Sequence, residues 1–246
     1  MMKDKAFNIH SESSHFPAPS LQLAVTQFVN KTYLWMCLGL LLTAVISTAV
    51  LSSEGLINII LNTPGVLIGI LLAQLGLIFV MNMLMKNSNT SAHFLTLCFI
   101  IYSVMSGLTF SSIGLIYTVE SISQTFFIAS GMFGALAIFG SITKRDLSPL
   151  GSFFGMGLIG MILLGLLNLF FQSESLSLGI ATAGIFVFAG LTAYDAQVIR
   201  SLAYTHIQNG DSKTEQKAII MGALILYLDF INLFLNLLKL MGKKRR

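Results

Sequence analysis

Residues 226–240 read LYLDFINLFLNLLKL. One carboxylate, two amides and one amine interrupt a run that is otherwise apolar or tyrosine. A carboxylate at the centre of a bilayer costs about 2.5–3.5 kcal/mol on insertion scales. Asp229 must therefore face other protein, face water or carry a proton. At about 100° per residue, Asn232, Asn236, Lys239 and Gly222 fall with Asp229 inside about 100° of arc. Tyr227, Ile231, Phe234 and Leu238 form the opposite face. A polar stripe on an apolar cylinder must point at neighbouring helices, which makes this helix central in a bundle or pore-lining.

The rest of the chain supplies that bundle. Of its 246 residues, 55% are hydrophobic and 10% are charged, and the mean hydropathy is +0.83. A soluble domain carries about 25% charged residues, so this composition predicts an all-α integral membrane protein. The net charge of +4 sits in short links between apolar runs and does not point to nucleic acid. Cys37 and Cys98 lie inside apolar runs and read as small filler, with no disulfide framework. Residues 1–30 are polar, contain Pro17 and Pro19, and lack the apolar core of a signal peptide.

About 20 apolar residues span a bilayer, and seven runs qualify: 32–51, 65–85, 93–118, 121–142, 151–171, 178–198 and 218–240. The expected division is a flexible cytoplasmic tail (1–31), a seven-helix membrane domain (32–241) and a basic C-terminal tail (242–246). Short links make sequential helices antiparallel. Only RSLAYTHIQNGDSKTEQK, between the sixth and seventh runs, reads as a long polar loop. Glycines recur in the fourth to sixth runs, with Gly151 and Gly155 at GxxxG spacing, and predict close helix packing.

Lys and Arg set the orientation. The tail holds Lys3, Lys5 and Lys31. The even loops hold Lys86, Lys144, Arg145, Arg200, Lys213 and Lys217. The odd loops hold none and carry Glu54, Glu120 and Glu174 instead. The N-terminus is then cytoplasmic, and seven crossings put the C-terminus outside. The terminal GKKRR conflicts with that placement, and a last span that stops short and re-enters is the competing solution.

Ten residues are acidic, and only Asp195 and Asp229 fall within apolar runs. The Asp195 face of the sixth run carries Ala181, Gly184, Phe188 and Thr192, mostly small, so another helix can approach there. Measured from Arg200 and Lys217, the two aspartates differ in depth by about 10 Å at 1.5 Å per residue. They meet only if the last helix extends about two turns into the cytoplasm. Two carboxylates in contact would share a proton, titrate as a unit and, when ionised, attract a hard cation such as calcium. Alternatively, each is capped separately and only specifies packing.

Several enzyme and pigment chemistries are excluded. Lys239 lies at a helix end, too far from Asp229 for a retinal site. His10, His15, His93 and His206 form no intramembrane zinc cluster. Ser103 and Ser106 have no base within the spans. No enzymatic activity and no cofactor are expected.

FVNKTYLWMCLGLLLTA, TKRDLSPLGSFFGMGLIG, AGLTAYDAQVIR and MGALILYLDFINLFLNLLKLMG resemble segments of the Bax inhibitor-1 family (transmembrane Bax inhibitor motif proteins), in its bacterial branch. The resemblance implies seven helices, six of them around a central last one, in a bacterial inner membrane. It implies a pH-dependent calcium leak controlled by an aspartate pair, here Asp195 and Asp229, with calcium as transported ion and transient ligand. Asn232, Asn236, Gln74 and Arg200 are the supporting polar residues. Some members place a glutamate and an arginine in the second span to lock the aspartates; here that span offers Gln74, which could hydrogen-bond a carboxylate. Arg200 is either a substitute cation or an interface anchor. A different class of function is also implied: binding and restraint of a membrane-bound ATP-dependent protease through the N-terminal tail.

Overall fold

The computed structural model describes residues 19–61, 63, 65–87, 90–209 and 212–245. Eight helices follow one another: α1 (Pro19–Leu51), α2 (Glu54–Leu61), α3 (Val66–Lys86), α4 (Ala92–Ile116), α5 (Val119–Ile142), α6 (Ser148–Phe171), α7 (Glu174–Asn209) and α8 (Ser212–Met241). All except α2 are long and apolar enough to cross a membrane. In hydrocarbon every backbone N–H and C=O needs an internal partner, and helices provide it.

The links are closed by local chemistry. Gly65 precedes α3 at φ +86°, a left-handed conformation that glycine adopts without a Cβ penalty. Ser91 and Thr118 accept from His93 N and Ser121 N at 3.3 Å each, capping α4 and α5. Pro149 sits in the first turn of α6, where its missing N–H costs nothing.

Two boundaries differ from expectation. The helix α1 opens at Pro19, so residues 19–31 are helix and not tail. Its apolar residues Leu21, Val25 and Phe28 share one face, and Val25 and Phe28 are buried in the core. The expected partner-binding tail lies outside the described residues up to residue 18. The second difference is the polar link RSLAYTHIQNGDSKTEQK, which is mostly helix. Its polarity marks exit from hydrocarbon, not loss of helicity, and α7 and α8 continue through it to Asn209 and from Ser212.

Helix α8 is the axis of the bundle. It packs against α1, α3, α4, α5 and α7, while α6 leans on α7. Within the most apolar stretch of α8, 78% of residues are buried. Tyr227, Leu226 and Leu233 are fully buried, and Phe230, Phe234 and Leu238 nearly so. Phe99 and Tyr102 of α4 meet the Tyr227 ring edge-on at 6.0 and 5.8 Å, a favoured aromatic geometry.

The glycines divide. A Cβ on Gly151 would meet the Tyr194 ring, one on Gly140 the Ala193 backbone, and one on Gly190 the Phe154 ring, while Gly155, Gly160 and Gly165 face open space. Gly151 is thus a packing glycine but its GxxxG partner is not.

The C-terminal segment is fastened to the α4–α5 turn. Thr118 N donates to Lys243 O at 3.1 Å, Arg245 N to Ile116 O at 2.8 Å, and Lys243 N to Ser121 Oγ at 2.9 Å. The chain therefore ends beside an odd loop, at the opposite end of the bundle from the start of α1, which lies by Ser141, Lys144 and Arg200. The last helix runs straight from one end of the bundle to the other and does not turn back.

Candidate functional site

Asp195 of α7 and Asp229 of α8 come together. Asp195 is half-buried and Asp229 is 5% exposed, and their side chains lie close enough to interact directly. The extension of both helices resolves the depth mismatch. Asp195 lies fourteen residues before the end of α7, and Asp229 seventeen after the start of α8. At 1.5 Å per residue these are about 21 and about 26 Å, from ends that adjoin. Asp229 Oδ2 is buried with no hydrogen-bond partner. A buried unsatisfied carboxyl oxygen costs free energy that packing must offset.

Close approach of α7 and α8 is what seats the pair. Ala181 and Thr192 are fully buried and Phe188 is 6% exposed. A Cβ on Gly184 would lie 2.6 Å from Asn236 Cγ, so only glycine leaves room for that amide. The small-residue face predicted around Asp195 is the face that α8 occupies.

The supporting residues act differently from expectation. Asn232 Nδ2 donates to Leu228 O at 2.8 Å, and Asn236 Nδ2 to Asn232 O at 2.7 Å. Both amides thus bond back to their own helix. Gln74 does not reach an aspartate; its Nε2 donates to Ser106 Oγ at 3.0 Å, because α3 lies against α4. Arg200 donates to the Ser141 carbonyl and lies over the Tyr204 ring, 5.9 Å from its centroid. It ties α5 to α7, and this contact does not make it a cationic latch on the aspartates.

A second buried polar group emerges around Tyr227. Thr43 Oγ1 lies 3.0 Å from the carbonyls of Gly39 and Ser103, and 2.7 Å from Tyr227 Oη. Thr43 has one proton and gives it to a carbonyl, so Tyr227 donates to Thr43. Ser106, which accepts from Gln74, lies beside Tyr102 and Tyr227. This knot ties α1, α3, α4 and α8 together. Gln74, the isolated polar residue near the middle of its span, was the available signal. Lys217 was also misplaced by sequence. It lies in α8, 3% exposed, and its Nζ donates to Asn87 O at 2.8 Å, a cation at the C-terminal end of α3 where the helix dipole favours it.

No group of three or more His, Cys, Asp or Glu that could hold a metal occurs among the described residues. Among the described residues, Asp195 and Asp229 are the acidic side chains that fall within the apolar runs, and Asp229 lies on the central helix. The family described as inhibitor of apoptosis-promoting Bax1 matches residues 25–246.

The chain belongs to the Bax inhibitor-1 family.

Among its relatives, inner membrane protein YbhL of Escherichia coli is 41% identical over 235 residues, covering 96% of this chain and 97% of that one. A protein of Rickettsia prowazekii is 42% identical over 220 residues, 89% and 90% of the two chains. One of Deinococcus radiodurans is 39% identical over 228 residues, 89% and 95%.

Proposed function

We propose that this Bax inhibitor-1 family member is a pH-sensitive, calcium-permeable leak of the bacterial inner membrane, gated by the Asp195–Asp229 pair. The observation that carries the reading is the pair itself, with Asp229 Oδ2 buried and unpartnered. Two carboxyls side by side in a low dielectric are held most cheaply with a proton on one of them. Loss of that proton leaves two like charges in a low dielectric, and the cost rises steeply with proximity. The seam between α7 and α8 must then open, admit water or admit a cation. Calcium takes six to eight oxygens, and two carboxylates fall well short of that. They suit an ion in passage better than a resident one.

The membrane is proposed from the printed name of the Escherichia coli relative. The orientation is proposed from the basic residues of the even loops, which favour the cytoplasmic side. This places the N-terminus inside and the C-terminus outside.

The test is calcium entry into dye-loaded vesicles containing only the purified full chain, across a pH series. The wild-type rate changes severalfold with pH, and the isosteric Asp195→Asn and Asp229→Asn variants each flatten the profile. Identical rates for all three proteins at every pH would sink the proposal.

A further inference from the structure

A cavity of about 530 Å³ opens between α1, α4, α5 and α8, on the far side of α8 from the aspartates. Its walls are apolar, with Leu40, Ala44, Ile113, Phe126 and Phe230 among them, and Arg245 closes one end. Along α1 it runs from Leu40 to Leu51. Eleven residues of helix rise about 16.5 Å, close to half of a hydrocarbon core of about 30 Å. The groove is thus one leaflet deep. One end lies where the C-terminal segment is fastened, beside Gly114 and Arg245, and the other lies at Leu40.

The position of Arg245 is imposed. Its backbone N–H is held by Ile116 O at 2.8 Å, and its Nη1 donates to Gly114 O at 3.2 Å. A guanidinium has five N–H donors in a planar fork suited to phosphate, and this one is exposed. An apolar slot one leaflet long with a fixed guanidinium at its headgroup end has the layout of a phospholipid. It also gives a use to basic residues that stand on the wrong end of the molecule for orientation by charge.

We propose that this groove binds one acyl chain of an anionic phospholipid, with Arg245 holding its phosphate. Lys244 serves as the internal control. It neighbours Arg245 but lines a different cavity, with Glu174 and Lys239. Diffuse attraction of the tail for anionic headgroups would draw on both residues alike; a built site draws on Arg245.

The purified full chain in nonionic detergent is titrated with palmitoyl-oleoyl phosphatidylglycerol or the phosphatidylcholine of the same chains, and bound lipid is counted by native mass spectrometry. Phosphatidylglycerol is expected to bind about fivefold more tightly, the effect of one basic residue near a headgroup. Arg245→Ala removes that preference and Lys244→Ala keeps it. Ala44→Phe, at an exposed position on the groove wall, lowers binding of both lipids. The proposal is overturned by equal wild-type affinities, by equal losses in Arg245→Ala and Lys244→Ala, or by unchanged binding in Ala44→Phe.

Discussion

Helices α6 and α8 contain equally hydropathic cores and have opposite surroundings. The most apolar stretch of each has a mean hydropathy of 2.2, yet none of that stretch is buried in α6 and 78% is buried in α8. Lipid is as apolar as leucine, so hydropathy cannot separate a helix that faces lipid from one that faces protein. What separates them is polarity that lipid will not accept. Helix α8 carries Asp229, Asn232 and Asn236 on one stripe and Tyr227 on the other face, each with protein beside it. Helix α6 presents Leu163, Leu166, Phe170 and Phe171 outward.

The largest expected effect comes from moving the polarity. Leu163→Asp puts on α6 what α8 carries at 229. Leu163 is 56% exposed, and nothing there could pair a carboxylate. The insertion cost of about 2.5–3.5 kcal/mol should appear as a sharp fall in membrane-inserted yield. Wild-type yield from Leu163→Asp would mean that α6 is covered by protein in the membrane and that the contrast drawn here is wrong.

A smaller effect should follow from crowding a glycine of α7 that faces α8 and a glycine of α6. Gly184→Leu drives a side chain into Asn236 at the α7–α8 seam, while Gly160→Leu on α6 meets open space. Overpacking costs about 1–3 kcal/mol, so Gly184→Leu should unfold at lower denaturant and Gly160→Leu should stay close to wild type. The comparison fails if the two variants unfold together.

These contrasts show what was legible in the sequence. Seven crossings were legible because apolar length is a direct reading of solvent. The centrality of α8 was legible because Asp229, Asn232 and Asn236 recur at helical spacing, and the face that receives them was legible in Ala181, Gly184 and Thr192. The reach of α7 and α8 beyond the membrane was not, since a polar amphipathic helix and a polar loop have the same hydropathy. Gln74 was visible as an anomaly, but its partner Ser106 depends on which neighbour α3 meets. Arg200 illustrates the same limit: one turn beyond Asp195 in sequence, it is committed to Ser141 and Tyr204. Spacing within a helix gives a face; it does not give the helix across from that face.

The smallest effect concerns how α6 is held, since its middle contributes little burial. Its entry is fastened at one end. Gln197 of α7 accepts from Leu147 N at 2.9 Å and donates to Arg145 O at 2.8 Å. Asp146 Oδ1 accepts from Ser148 N at 2.9 Å. That backbone N–H, with the Ser148 hydroxyl, holds the exposed Asp146 carboxyl below its ordinary value of 3.8. A carboxyl whose value is lower in the folded chain stabilises it at higher pH, and the contribution is lost as pH falls through that value. Unfolding midpoints measured downward from pH 5 should therefore fall slightly faster for wild type than for Asp146→Asn, which has no charge to lose there. The α8 core has no part in this difference, so it should persist in Asp229→Asn. Parallel wild-type and Asp146→Asn curves would show that the α6 entry is held by Gln197 and packing alone.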